Sequence, residues 1–197
     1  MKLLLATNNM HKRRELQGIL AGHDLLLPAD LGIDFYFDET ADTFRGNCLG
    51  KAFALFEQAN AGGLPVIADD SGLCVPALGG APGVYSARYG SADGQKKLTD
   101  ADRNQYLLAQ LEGIDDRRAY YVCAMAAVFS ADRFYLVQET WHGVLTTAPR
   151  GSGGFGYDPL FLLEDRGRTV AEIPEDEKNR MSHRGKAASR VARLLSE

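Results

Sequence analysis

The chain has 197 residues, 45 % hydrophobic and 24 % charged, with a formal charge of -4, an ordinary composition for a folded protein and a length that one domain can fill. The acidic balance offers no basic footprint for a nucleic-acid backbone, but leaves room for a small anion held by a local cluster of Lys, Arg and metal. Three widely spaced cysteines, Cys48, Cys74 and Cys123, give neither a disulfide framework nor a zinc spacing and point to buried packing in a reducing compartment.

The opening MKLLLATNN reads as a first strand over residues 2–6, too short for a signal peptide or a membrane span, and the expected location is the cytoplasm. Thr7, Asn8 and Asn9 punctuate it, and residues 12–20 read as an amphipathic helix with Leu16, Ile19 and Leu20 on one side. Strand, polar turn and helix make an α/β opening, with the turn where such sheets bind ligands. Residues 25–37 hold one or two extended segments. A helix is expected over residues 43–61, its apolar stripe formed by Phe44, Leu49, Ala52, Phe53 and Phe56.

Residues 65–68 are a second buried strand that runs into Asp69-Asp70-Ser71-Gly72, and residues 79–83 are turn-rich around Pro82. Residues 102–111 read as a helix, and residues 118–129 and 134–140 as neighbouring strands, with 141–145 extending the second or opening a third. After a glycine-rich loop, residues 159–163 form a short strand or turn and residues 182–195 a C-terminal helix. There is no repeat, linker or low-complexity tract. The expectation is one domain over residues 1–197, a mixed α/β fold on a strongly twisted central sheet.

Four polar clusters carry the chemistry. In Thr7-Asn8-Asn9-Met10-His11-Lys12, small polar residues at a helix start offer donors to an anion, and Lys12 adds a point charge suited to phosphate. A helix cap beside a solvated lysine reads equally well, and the glycine spacing of a Walker loop is absent. Asp69 and Asp70 follow a buried strand directly; carboxylates there are oxygen ligands for Mg²⁺ and can deprotonate a water, the alternative being a tight Asp-Ser-Gly turn. Glu39 and Glu57 are the nearest further acids.

The third cluster, Arg150-Gly151-Ser152-Gly153-Gly154-Phe155-Gly156-Tyr157-Asp158, suits a loop wrapped on a planar ligand, or a glycine-rich hairpin with a packed Phe. In the fourth, Lys178 precedes Ser182-His183-Arg184-Gly185-Lys186. Basic residues at a helix start oppose the helix dipole unless an acid or a ligand compensates. Arg88 reads as a buried salt-bridge partner ahead of a phosphate clamp, and residues 115–118 as a solvated turn. These residues together describe a nucleotide-polyphosphate hydrolase.

The segments LATNNMHKRREL, ADDSGLCVPALGGAPGVYSARY, GSGGFGYDPLF and EKNRMSHRGKA resemble, in this order, the signatures of the inosine triphosphate pyrophosphatase family. The resemblance spans residues 2–195, and four such segments in order are highly specific. It implies hydrolysis of ITP, dITP and XTP to the monophosphate and pyrophosphate, a Mg²⁺ requirement, a homodimer, and a two-lobed α/β fold with the active site in the cleft between lobes. The resemblance places the triphosphate-contacting motif on Thr7, Asn8, Asn9, Met10, His11 and Lys12. It places the general-base and metal-associated aspartate on Asp70, a substrate-contacting serine on Ser71, and a further metal-associated acid on Glu39. Base recognition falls on Phe155, Gly156, Tyr157, Asp158, Lys178, His183 and Arg184. Two other readings stay open: a pyrophosphatase for modified pyrimidines or standard dNTPs, and a catalytically silent nucleotide-binding protein.

Overall fold

Leu3, Leu4 and Leu5 are all fully buried, the mark of a strand covered on both faces. This strand, β1 (Lys2–Leu5), pairs in parallel with β2 (Asp24–Leu26) and with β3 (Val66–Cys74). In this computed structural model, which describes residues 1–59, 63–94 and 96–195, the remaining strands are β4 (Arg118–Ser130), β5 (Arg133–Leu145), β6 (Phe161–Leu163) and β7 (Arg168–Thr169). They form a seven-stranded sheet in the order β2-β1-β3-β4-β5-β6-β7, antiparallel from β5 to β7. The helices are α1 (Met10–Ile19), α2 (Phe44–Ala59), α3 (Asp100–Gln110), α4 (Glu175–Met181) and α5 (His183–Leu194). The fold is thus mixed α/β, a twisted sheet flanked by helices. Among the described residues no helix is long and apolar enough to cross a membrane.

The chain divides into two compact units. The first comprises Met1–Asp70, Cys123–Glu139 and Asn179–Glu197, the second Ser71–Val122 and Thr140–Lys178. Alternation along the strands builds the core of the first unit. Leu3, Leu5, Ile67, Cys123 and Met125 pack with Leu16 and Leu20 of α1 and with Ala187, Ala188 and Val191 of α5. On the opposite face, Leu4, Ala6, Ala68, Ala124 and Ala126 meet Cys48, Ala52 and Leu55 of α2. In the second unit Phe161 is the buried centre, with Tyr121 and Trp141 at ring-centre distances of 4.6 and 5.9 Å.

Several expectations are corrected. Helix α1 begins at Met10, two residues early, because Asn9 Oδ1 accepts from the amides of His11 at 2.9 Å and Lys12 at 3.3 Å. Thr99 does the same for α3 by accepting from Asp102 N at 3.2 Å. The second strand does not stop before the acids, since β3 runs on through Asp69, Asp70, Ser71 and Gly72 to Cys74. The tight-turn reading fails because Leu73, Cys74 and Val75 beyond the acids are buried, which keeps the chain extended.

The buried face of α2 is Asn47, Cys48, Lys51, Ala52 and Leu55, and Phe44, Leu49, Phe53 and Phe56 sit half-buried at its margins. The expected end of this helix, at Asn60 and Ala61, lies outside the described residues. Residues 25–37 supply β2 and then a 3-10 turn, Pro28–Leu31. Residues 134–145 belong to one strand. Helix α4, unforeseen, is short and polar; Glu175, Asp176 and Glu177 in its first turn suit the helix dipole.

Candidate active site

Strand alternation separates the two adjacent acids. Asp69 follows Ile67 onto the side packed by α1 and α5, and Asp70 follows Ala68 onto the side packed by α2. Asp69 is fully buried. Its Oδ2 lies 3.0 Å from Lys12 Nζ and 3.2 Å from Arg184 Nε, and Arg184 Nη1 reaches Glu15 Oε2 at 2.5 Å. Burial pushes the Asp69 carboxyl up, but the charges of Lys12, Arg184 and Lys51 overcome it and hold the group well below the usual carboxylate range. For Arg184 burial opposes the charge, and Asp69 and Glu15 more than restore it. The acid that a basic helix start demands is therefore present within the protein.

Asp70 has the opposite character. It is buried, and Asn47 Nδ2 donates to its Oδ2 at 3.2 Å. Burial raises its affinity for a proton, the charge of Glu39 adds to this, and Lys12, Lys51 and the Asn47 bond offset only part of it. Glu39 pairs with Lys51 at 2.5 Å; burial pushes its carboxyl up but Lys51 brings it below its ordinary value. Burial works against the Lys51 charge, which Glu39, Asp69 and Asp70 together reinforce. Asn47 Oδ1 accepts the Ala41 amide at 2.9 Å, so α2 holds both Asp70 and the segment carrying Glu39.

Among the described residues no three or more His, Cys, Asp or Glu side chains come together as a metal-holding group. Mg²⁺ needs fewer: it uses one or two carboxylates and completes its shell with waters and substrate phosphates. Glu39 and Asp70, close enough for one charge to lift the proton affinity of the other, fit that description.

The opening motif is largely occupied with its own turn. Thr7 Oγ1 accepts from Asn9 N at 3.1 Å, Asn8 Nδ2 donates to Phe35 O at 3.2 Å, and Asn9 caps α1. Met10 and His11 are exposed, while Lys12 turns inward to Asp69. His183 and Arg184 open α5 almost fully buried, behind a Ser182 cap whose Oγ accepts from Gly185 N at 3.0 Å. A Cβ on Gly185 would lie 1.9 Å from the Asn179 carbonyl oxygen, so only glycine admits this close approach. Cys48, on the buried face of α2, donates to Ala68 O at 3.4 Å, and its thiol is pushed up to about 12 by burial and the Asp69 charge.

The second unit gathers another set. Asp158 Oδ2 accepts from Lys178 Nζ at 2.7 Å and from Phe155 N at 2.9 Å, and Tyr121 Oη donates to Asp158 Oδ1 at 3.1 Å. Lys178 Nζ stands 4.6 Å from the centre of the half-exposed Phe155 ring. Tyr157 is buried and its hydroxyl donates to Ser86 O at 2.8 Å. Ser71 is half-buried on β3. Arg88 lies over the Tyr85 ring at 5.0 Å. Of the run expected to be a solvated turn, Asp116 and Arg118 pair at the surface, but Arg118 opens β4 and Arg117 turns inward to donate to Leu145 O and Thr146 O, each at 2.7 Å.

Lys12, Glu39, Asp69, Asp70 and Arg184 thus interact in the first unit, and Phe155, Asp158 and Lys178 in the second. Sequence reading missed Asn47, Lys51 and Glu15 in the first unit, and Asp100, Asn104 and Tyr121 in the second. A signal for two of them was present: Asn47 and Lys51 are polar, four apart, and continuous with the Cys48, Ala52 and Leu55 stripe.

Residues 3–194 match the Ham1 family. A dITP/XTP pyrophosphatase of Treponema denticola is 48 % identical over 195 residues, an alignment covering 99 % of this chain and 98 % of that one. Two solved structures share the fold over 100 % of this chain and 98 % of their own. They are a HAM1 protein of Coxiella burnetii, with a TM-score of 0.86 and 36 % identity, and the Ham1 protein of Staphylococcus aureus, with 0.85 and 33 %.

Proposed function

Because the chain belongs to the Ham1 family, we propose that it hydrolyses deaminated purine nucleoside triphosphates (ITP, dITP and XTP) to the monophosphate and pyrophosphate. The observation that carries the reading is the division of labour at the acidic pair. Asp69 is held between Lys12 and Arg184, and Asp70, on the opposite face of β3, is fixed by the Asn47 amide at 3.2 Å, so that one carboxylate serves the charge network and the other is left to take a proton.

In this reaction a water attacks the α-phosphorus, its proton passes to Asp70, and the α–β bond breaks with the electron pair leaving on pyrophosphate. Lys12, held in place by Asp69, neutralises charge on the polyphosphate. Lys51 keeps its charge through Glu39 and adds to the same field. Asn47 fixes the Asp70 carboxylate. Glu39 and Asp70 are the residues that would hold Mg²⁺, which supplies charge withdrawal from phosphate oxygens when bound. Thr7, Asn8, Asn9 and Ser71 complete the assignment on the triphosphate side.

Base recognition is assigned to the 155–158 loop with Lys178, where Phe155 offers a ring for stacking, and to His183 and Arg184. Hypoxanthine and xanthine carry a six-position carbonyl that accepts hydrogen bonds, whereas adenine carries an amino donor. A site built of donors leaves them unpaired against adenine and so discriminates against it. Residues 1–197 act as one functional domain in this reading, as a homodimer. Location in the cytoplasm is supported by three buried free cysteines.

The test is pyrophosphate release, with and without Mg²⁺, from ITP, dITP, XTP, ATP, GTP and modified pyrimidine triphosphates. Mg²⁺-dependent release concentrated on the deaminated purines supports the assignment. Equal turnover of ATP, GTP or pyrimidines removes the substrate class and leaves a broader pyrophosphatase.

A further inference from the structure

Helix α3 presents two side chains, one turn apart, to a single residue of the glycine-rich loop. Asp100 Oδ2 accepts the Gly156 N–H at 2.5 Å, and Asn104 Nδ2 donates to the Gly156 carbonyl at 3.1 Å. Residues at i and i+4 share a helix face, and here they hold both polar groups of one backbone residue.

Gly156 stands at φ +64°, and among the described residues nothing lies within 4 Å of where its Cβ would be. Packing therefore does not force the loop into this shape at residue 156; the hydrogen bonds from α3 hold it there. Asn104 is 6 % exposed, and among the described residues its Oδ1 has no hydrogen-bond partner. A buried amide with one end unsatisfied is destabilising, and a leucine of similar shape would avoid that cost. What the amide supplies is the bond to Gly156. Asp100 is oriented by an ion pair to Arg103, which donates to Ala87 O at 3.0 Å and lies 5.9 Å from the Tyr157 ring centre. With Phe155 N bonded to Asp158 and the Tyr157 hydroxyl to Ser86, the loop is tied at three consecutive residues.

We propose that Asp100 and Asn104 are positioning residues that set base discrimination. They clamp Gly156, and through it fix the presentation of Phe155 and Tyr157, so that the loop meets the purine as a preformed surface instead of adapting to whichever base arrives. The proposal rests on the assignment of the 155–158 loop to base recognition.

The experiment compares pyrophosphate release from dITP, XTP, dGTP and dATP by wild type, N104L, D100A and D100N, with amide hydrogen exchange of residues 150–160. N104L and D100A lower kcat/KM for dITP and narrow the preference for dITP over dGTP by about tenfold, the worth of roughly one well-made hydrogen bond. D100N, which keeps an oxygen acceptor for Gly156, holds the wild-type preference. Exchange at residues 156 and 157 accelerates in N104L and D100A only. If kcat/KM falls equally for all four nucleotides, leaving the preference within about twofold of wild type, the clamp is only scaffolding and the proposal is overturned. Should N104L fail to fold, the half-exposed Asp100 carries the test through D100A and D100N. A wild type that shows no preference for deaminated purines defeats the functional reading itself. A selective wild type with unaltered variants defeats the clamp alone.

Discussion

Asn47 Nδ2 lies 3.2 Å from Asp70 Oδ2, and Asn47 Oδ1 accepts the Ala41 amide at 2.9 Å. One side chain on α2 thereby ties the proposed base to the segment that carries Glu39. Replacing it tests position more than binding. N47A should lower kcat by about tenfold or more while leaving KM within about threefold, the pattern of an interaction that matters in the transition state. A rise in KM alone with kcat intact would reassign Asn47 to substrate binding.

Asp70→Asn should separate activity from stability. Pyrophosphate release should fall by roughly 10²–10⁴-fold, the usual worth of a general base. Stability should move the other way. The folded-state pKa of Asp70 is raised, so its contribution to stability is present below the unfolded value and lost as pH rises through the folded one. At pH 7 the ionised group weakens the fold, and the neutral amide should melt at or above wild type. A D70N protein that unfolds much earlier than wild type at pH 7 contradicts this account of the site.

Asp69→Asn should do the reverse. It leaves Lys12 and Arg184, which are largely buried, without their shared carboxylate, and removing one partner of such a network costs about 3–5 kcal/mol. The folded pKa of Asp69 is depressed from its ordinary 3.8. Its stabilisation is therefore full above that value and lost as pH falls through the folded one. Denaturant melts from pH 7 down to pH 2 should show a wild-type advantage over D69N that fades only below about pH 4. An advantage that fades between pH 5 and 7 would implicate another group.

Two glycines in the base loop should respond unequally to alanine. Both have positive φ, +69° at Gly154 and +64° at Gly156, but a Cβ at 154 would stand 2.1 Å from Asp158 Oδ2 while at 156 it meets nothing. G156A should cost roughly 1–2 kcal/mol for the left-handed backbone alone. G154A should cost distinctly more, because it displaces the carboxylate that holds Lys178 and Phe155 N. Equal losses in urea melts would mean that the Asp158 contact contributes little.

The order of strands and helices was mostly readable, because Lys2–Leu5 and Arg118–Ser130 are nearly continuous apolar runs and the Leu16 and Leu20 stripe recurs at helical spacing. Boundaries moved where a single cap decided them, at Asn9 and Thr99. The acidic pair misled: locally Asp-Asp-Ser-Gly is turn chemistry, and only the buried Leu73 and Cys74 beyond it keep the strand going. That the two acids face different helices follows from alternation once the strand is known. Pairing of Arg184 with Glu15 and Asp69 joins residues up to 169 positions apart, and no local pattern carries such information. Asn104 was invisible for the same reason, its meaning residing in Gly156, 52 residues onward.

The cysteines bear on chemical durability. Burial pushes the Cys48 thiol up to about 12, which keeps it protonated at neutral pH, and the thiolate is the reactive form. Cys123, fully buried, is likewise pushed upward by burial, and Cys74 by burial to a lesser degree. Thiol-directed alkylating, nitrosating or oxidising electrophiles therefore find almost no thiolate in the folded protein, and the exposed sulfur among the described residues is that of Met1 and Met10. A catalyst that clears chemically damaged nucleotides thus keeps its own three thiols out of reach of reagents of this kind.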